Sequence, residues 1–239
     1  MSGTLYVQHA NIIGLFLHAV KRYSASNIST KWHQACYPFH GMMNYGMVPS
    51  NIELKLPGWL GSFIAGQQQR FESAESRMLL AIQLARLNVE NRTGGPFGAA
   101  VFDMETGELI SVGINLVVPS NCSMAHAEMI AISAAQQKLG NFDLGAAGLP
   151  RLELVSSTEP CAMCFGAIPW SGIRHLACGA RDIDARSIGF DEGPKHPHWI
   201  KELEKRGISV EIDICRAEAA AVLKRYAETE GNIYNARQG

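Results

Sequence analysis

Four side chains in two short clusters, His126 and Glu128 in His126-Ala127-Glu128 and the cysteines of Pro160-Cys161-Ala162-Met163-Cys164, have the types and spacing of a metal centre. Pro160 suits the opening of a helix, since proline is favoured at a first helical position. In the first turn of that helix, cysteines three residues apart point the same way, and the positive helix end favours their thiolates. Those are zinc ligands. His126 supplies a third, leaving the fourth tetrahedral position for water, which marks a catalytic rather than a closed structural zinc site. Glu128 lies two residues from His126, a spacing that puts the pair on opposite sides of a helix interior, so both must sit at a helix start. From there the histidine leans to the metal and the glutamate, not a ligand, reaches the water as a general base. A lone C-x-x-C would equally suit redox or structural roles, and a lone H-x-E is common; together, in this order, they point to hydrolysis. Cys122 is close to His126, but a fourth protein ligand would exclude water. It reads as a buried or partly buried free thiol, as do Cys36, Cys178 and Cys215.

The elements that must position these residues alternate in type. Met78, Ile82, Ala85 and Val89 recur at spacings of four, three and four, one apolar face of a helix over 72–91. Gly94-Gly95-Pro96 stops it. Gly98 to Asp103 and Glu108 to Val118, around the turn Glu105-Thr106-Gly107, read as a β-hairpin. A helix from His126 to Leu139, a strand Leu152 to Ser157, a helix opening at Pro160 and a strand Arg174 to Cys178 follow. Pro169 should end or kink the Pro160 helix by Ile168. After a loop rich in Asp, Gly and Pro come a helix Trp199 to Lys205, a strand Ile208 to Ile214 and a helix Ala217 to Thr229. This order predicts an α/β domain: one mixed five-stranded sheet with helices on both faces, from about residue 70 to the end.

With 239 residues, 47% hydrophobic and 18% charged, the chain can bury one substantial core. Its 21 basic and 22 acidic residues give a net charge of -1, which argues against a polyanion partner. Six cysteines are too few for a disulfide scaffold and suit a reducing compartment, so the cytoplasm is expected. The apolar run Ile12 to Val20 is too short to span a membrane and lacks the flanks of a secretory signal. No Asp or Glu precedes Glu53, while half of the histidines lie in residues 1–46. That segment reads as one of unknown role, and upstream sequence read in from too early a start codon accounts for it better than a targeting peptide. Residues 47–69 then read as a linker and 70–239 as the catalytic domain.

H-x-E followed by P-C-x-x-C is the pattern of zinc-dependent base deaminases, and the chain resembles the cytidine and deoxycytidylate deaminase superfamily, within it the bacterial guanine deaminase branch. The likeness covers roughly residues 70–239. It includes Gly94-Gly95-Pro96-Phe97-Gly98, Asn115, Gly189-Phe190-Asp191-Glu192-Gly193-Pro194 and the tail Gly231-Asn232-Ile233-Tyr234-Asn235-Ala236-Arg237. The resemblance implies a cytidine deaminase-like three-layer sandwich holding Zn2+ on His126, Cys161 and Cys164. It implies a second carboxylate, Glu192 with Asp191 as fallback, that shuttles a proton to the leaving amine, and Asn115 as reader of a purine edge. Phe97 for stacking, the Ala127 backbone N–H and Tyr234 in the tail are further candidates for substrate contact. The implied reaction is hydrolysis of guanine to xanthine and ammonia in a homodimer, with no nucleic-acid or membrane partner. Rivals are deamination of ammeline, cytosine or transfer-RNA adenosine, and, in another class, a non-catalytic nucleic-acid-binding relic of the zinc fold. An RNA enzyme would want a basic surface, yet three basic and no acidic residues precede Met47, leaving 18 against 22 beyond it. A relic would have no need of Glu128.

Overall fold

The computed structural model describes residues 52–235, so the expectations for residues 1–46, for Cys36 and for the tail residues Ala236 and Arg237 lie outside the described residues. Helix α1 (Gly58–Ala65) precedes α2 (Ala74–Glu90). Ser73 caps α2 reciprocally with Ser76, the Ser76 N–H donating to Ser73 Oγ at 3.1 Å and the Ser73 N–H to Ser76 Oγ at 3.2 Å. Strands β1 (Gly98–Asp103) and β2 (Leu109–Ile114) form the hairpin. A single turn α3 (Val117–Ser120) leads to α4 (Ala127–Leu139), then β3 (Leu152–Thr158), α5 (Ala162–Ser171) and β4 (His175–Ala180). Helices α6 (Asp182–Ser187) and α7 (Trp199–Glu204), strand β5 (Ser209–Glu211) and helix α8 (Arg216–Glu228) complete the order.

The five strands make one mixed sheet ordered β2-β1-β3-β4-β5. β1 pairs antiparallel with β2 and β3, while β3, β4 and β5 run parallel. Every residue of β3 is buried, as expected of a central strand covered on both faces. Alternation along β1 feeds two cores: Ala100 and Phe102 join Met78, Leu84 and Leu223 under α2 and α8, and Ala99 and Val101 join Ala131, Ile168 and Leu203 under α4, α5 and α7. The expected three-layer sandwich is thus present, with the apolar face of α2 turned to the sheet.

Several boundaries differ from expectation for tertiary reasons. The expected linker over 47–69 carries α1, whose Leu60 is buried in the core and whose Trp59 Nε1 donates to Thr93 Oγ1 at 3.0 Å. β2 stops at Ile114 rather than Val118; Leu116 donates instead to Ala125 O at 2.8 Å, and Pro119 has no N–H for a ladder. β5 is short because Asp213 adopts a left-handed backbone, φ 66°. The loop after β4 contains α6. Pro169 does not end α5, which continues to Ser171. Ile168 and Ser171 are buried there, and Ser171 Oγ donates to Ile168 O at 2.7 Å, holding the last turn on the sheet. Finally, α5 begins at Ala162: Cys161 is its N-cap, with φ −65° and ψ 173°, and Pro160 lies outside the helix.

Candidate active site

The N-termini of α4 and α5 converge beside the C-terminal ends of β2 and β3. His126 is the N-cap of α4, Cys161 the N-cap of α5, and Cys164 lies in the first turn of α5. The approach of α4 to the sheet requires Gly113 on β2, because a Cβ there would overlap the Ala127 carbonyl and lie 2.5 Å from the Ala131 nitrogen. His126 Nδ1 stands 3.5 Å from Cys161 Sγ and 3.6 Å from Cys164 Sγ, and the three donor atoms lie within 4.8 Å of one another. Zn–S bonds of about 2.3 Å and Zn–N bonds of about 2.0–2.1 Å at a tetrahedral angle require a sulfur–nitrogen edge of about 3.5–3.6 Å. The donor set fits zinc in chemistry and in dimension. Cys122 and Cys178 are free thiols outside the cluster, and Cys215 is likewise free.

Charge in the cluster is arranged for the thiolate. A hydrogen bond from the Cys164 thiol, helped by His126 against the cost of burial, brings Cys161 down to about 4, whereas Cys164, bonded to Cys161 and buried, is pushed up. Burial alone would lower His126, but the bond to Cys161 and the charge of Glu128 raise it. Glu128, in the first turn of α4, is buried beside both cysteines; burial and then Cys161 raise its carboxyl, with His126 opposing.

The other candidates gather around this cluster. Glu192 is buried, and its carboxyl is pushed up to about 8, first by burial and then by Cys161 and Glu128. Its carbonyl accepts the Ala162 N–H at 2.9 Å, tying its loop to the start of α5. Asp191 is engaged elsewhere: its Oδ1 accepts the Gly193 N–H at 2.9 Å and faces Arg186 Nη1 at 3.4 Å. Asn115 is buried at the end of β2; its Nδ2 donates to the Tyr234 hydroxyl at 2.5 Å. The Tyr234 ring lies edge-on 6.2 Å from His126 and 5.8 Å from Phe190. A Cβ on Gly95 would stand 3.0 Å from Asn115 Oδ1, so the glycine pair lets the loop lie against this amide. Phe97 packs edge-on to Phe190 at 5.0 Å and touches both cores, and Ala127 is wholly buried at the first turn of α4. Apart from the fallback Asp191, the nine residues singled out from sequence therefore lie in or next to one site.

Sequence reasoning gave no role to Phe190, Glu159 or Lys195. Phe190 sits in the motif that holds Glu192, Glu159 directly precedes Pro160, and Lys195 follows Glu192 by three. Adjacency was the available signal, but the burial that gives these residues their weight is a property of the fold. The broad groove of about 1240 Å³ between α2 and α8, bordered by Arg86, Val118 and Arg225, contains none of the nine residues.

A mixed sheet presenting a His-Cys-Cys cluster and a buried carboxylate at two helix starts defines a zinc-dependent deaminase. Residues 71–180 match the family described as the cytidine and deoxycytidylate deaminase zinc-binding region. The chain is 37% identical over 134 residues to the guanine deaminase of Bacillus subtilis (strain 168), a match covering 56% of this chain and 81% of that protein. Among solved structures, guanine deaminase from Nitrosomonas europaea superposes with a TM-score of 0.72 at 45% identity, covering 77% of this chain and all, 100%, of that one. A structure in complex with 2,6-diaminopurine gives 0.72 at 48% identity, covering 78% and 97% respectively. The chain belongs to the cytidine and deoxycytidylate deaminase family.

Proposed function

We propose that this protein hydrolyses guanine to xanthine and ammonia. The observation that carries the reading is the pair of buried carboxylates, Glu128 and Glu192, both close to Cys161 of a zinc-compatible cluster. His126, Cys161 and Cys164 would hold the ion. Zinc bound there would lower the pKa of water and supply Lewis-acid polarisation. Glu128 takes the proton of the attacking water and passes it to the ring. Glu192, still protonated at neutral pH, donates to the departing amine, so each proton movement has its own carboxyl. Asn115 offers a donor and an acceptor to the purine edge. Phe97 and Tyr234 supply aromatic surface around the ring, and the Ala127 N–H donates to it. The guanine deaminase relatives and the 2,6-diaminopurine complex support an aminated purine as substrate.

The test is ammonia release from guanine by the zinc-loaded protein, with ammeline, cytosine and adenosine-containing RNA in parallel. Guanine should be preferred, with xanthine as product, and Glu128→Ala should keep its zinc and lose about 10²- to 10⁴-fold in turnover. Turnover of another ring alone would overturn the substrate assignment; an active Glu128→Ala would overturn the mechanism. The assembly we assign is a homodimer, whose interface would cover apolar side chains now in water such as Trp170 at 86% exposure. Among the described residues no helix is long and apolar enough to cross a membrane, and free thiols suit the reducing cytoplasm that we assign. The division into 1–46, 47–69 and 70–239 stands as our reading of the domains, with α1 bracing the last.

A further inference from the structure

Between α6 and α7 the chain has no helix or strand, yet this is the loop that must aim Glu192. Gly193, at φ 70°, reverses it, and the Lys195 N–H donates to Gly193 O at 2.9 Å. Lys195 then reaches the residue that precedes the metal-ligand turn. Its side chain is 5% exposed, and Nζ donates to Pro160 O at 3.1 Å, one residue before Cys161. The same ammonium faces Glu159 Oε2 at 3.4 Å and Asp182 Oδ2 at 3.6 Å, and lies 5.0 Å from the centre of the Trp199 ring. The ammonium thus donates to two acceptors and has a second carboxylate within ion-pair reach. Glu159 is itself tied in place, its N–H donating to Ala180 O at 2.8 Å and its Oε2 accepting the Asp182 N–H at 3.2 Å.

Burying an ammonium between carboxylates is a poor route to stability, since apolar side chains of similar volume often serve as well or better. What the lysine provides that a methionine would not is a directed bond to one particular carbonyl. The other side-chain ties on this loop reach its earlier part or come from exposed groups. Asn235 accepts the Asp191 N–H at 2.7 Å and donates to Gly189 O at 2.9 Å, and Arg186, 39% exposed, donates to Gly193 O at 3.3 Å and to Asp191 Oδ1 at 3.4 Å. Among the described residues only Lys195 links the loop to the residue before Cys161 through a buried side chain. We propose that Lys195 is a positioning residue for the deamination step: by joining the Glu192 loop to the Pro160 carbonyl, it sets the place of the Glu192 carboxyl relative to the Cys161–Cys164 turn. The inference rests on Glu192 acting at the leaving amine, and it adds the residue through which that carboxyl is held.

The zinc-loaded parent, Lys195→Met, Glu192→Gln and the double variant should be compared on guanine, or on whichever ring the parent turns over. Methionine keeps the apolar stem against Trp199 and removes the bond. Displacing an acting group by about an ångström costs up to about 10²-fold, so Lys195→Met should lose about 10- to 100-fold in kcat. KM should change less than about threefold, and one zinc per chain should remain. Because the lysine works through the glutamate, the double variant should be no slower than Glu192→Gln alone. Parental kcat in Lys195→Met, or losses that multiply in the double variant, overturns the proposal. Lost zinc in Lys195→Met overturns it too, in favour of support for Cys161. Should that variant fail to fold, Lys195→Gln, which can still donate to Pro160 O, is measured in its place, with a smaller loss in kcat and the same non-additivity expected. A parent inert on every aminated ring refutes the reading of Glu192, whereas an active parent with an indifferent Lys195→Met refutes only the role of the lysine.

Discussion

A proton donor must still hold its proton at the pH where it works, and Glu192 does so because its carboxyl is buried among negative neighbours. Its donating form predominates below about 8 and is lost above it, so turnover should fall as pH rises through that value. A pH–kcat profile checks this, and Glu192→Gln should lack that limb. Stability carries the same sign. In the folded state the group titrates above its unfolded value of 4.5, so between 4.5 and about 8 the native protein holds the extra proton, and the stability present below 4.5 declines across that window. Thermal melts should therefore show Glu192→Gln gaining on the parent above pH 8 and not below 4.5. Asp191, one residue earlier, spends its carboxylate on Gly193 and Arg186. Sequence alone could rank the two acids only by resemblance, because which neighbour is buried and which is bonded depends on the loop's path.

At the level of elements, the metal cluster depends on how close α4 comes to β2, and Gly113 sets that distance. Gly113→Ala should destabilise the fold by about 1–3 kcal/mol through overpacking and push the His126 end of α4 outward. Denaturant melts and zinc content should fall together; a loss of stability with full zinc would mean that the sheet, not the helix, yields. Element order and sheet composition were legible because hydrophobic period and turn residues are local signals, as the four-three-four spacing on α2 illustrates. What local rules missed has tertiary causes. Pro169 remains inside α5 because buried Ile168 and Ser171 hold the last turn. Helix α1 is stabilised by Leu60 and by Trp59 bonding to Thr93, both distant in sequence from their partners. The donor set was readable from spacing; Lys195 was not, since a lysine near a loop of Asp, Gly and Pro ordinarily lies in water.

For the molecule as a whole, Trp170 at the end of α5 is, among the described residues, the largest apolar side chain left open to solvent. A dimer that covers it should dissociate in Trp170→Glu, with the mass from light scattering falling from about two chains to one; a parent that is already monomeric removes the assignment. The two cores divide the labour of the fold. One, under α2 and α8, holds no donor of the cluster, while the other lies under α4 and α5, whose N-caps and first turn carry all three. An ion joining His126 to the two cysteines therefore clips together chain segments 35 and 38 residues apart on one side of the sheet only. Removing it should be felt unevenly: with a chelator present, amide hydrogens in the first turns of α4 and α5 should exchange with deuterium sooner, while those of α2 and α8 keep their pace.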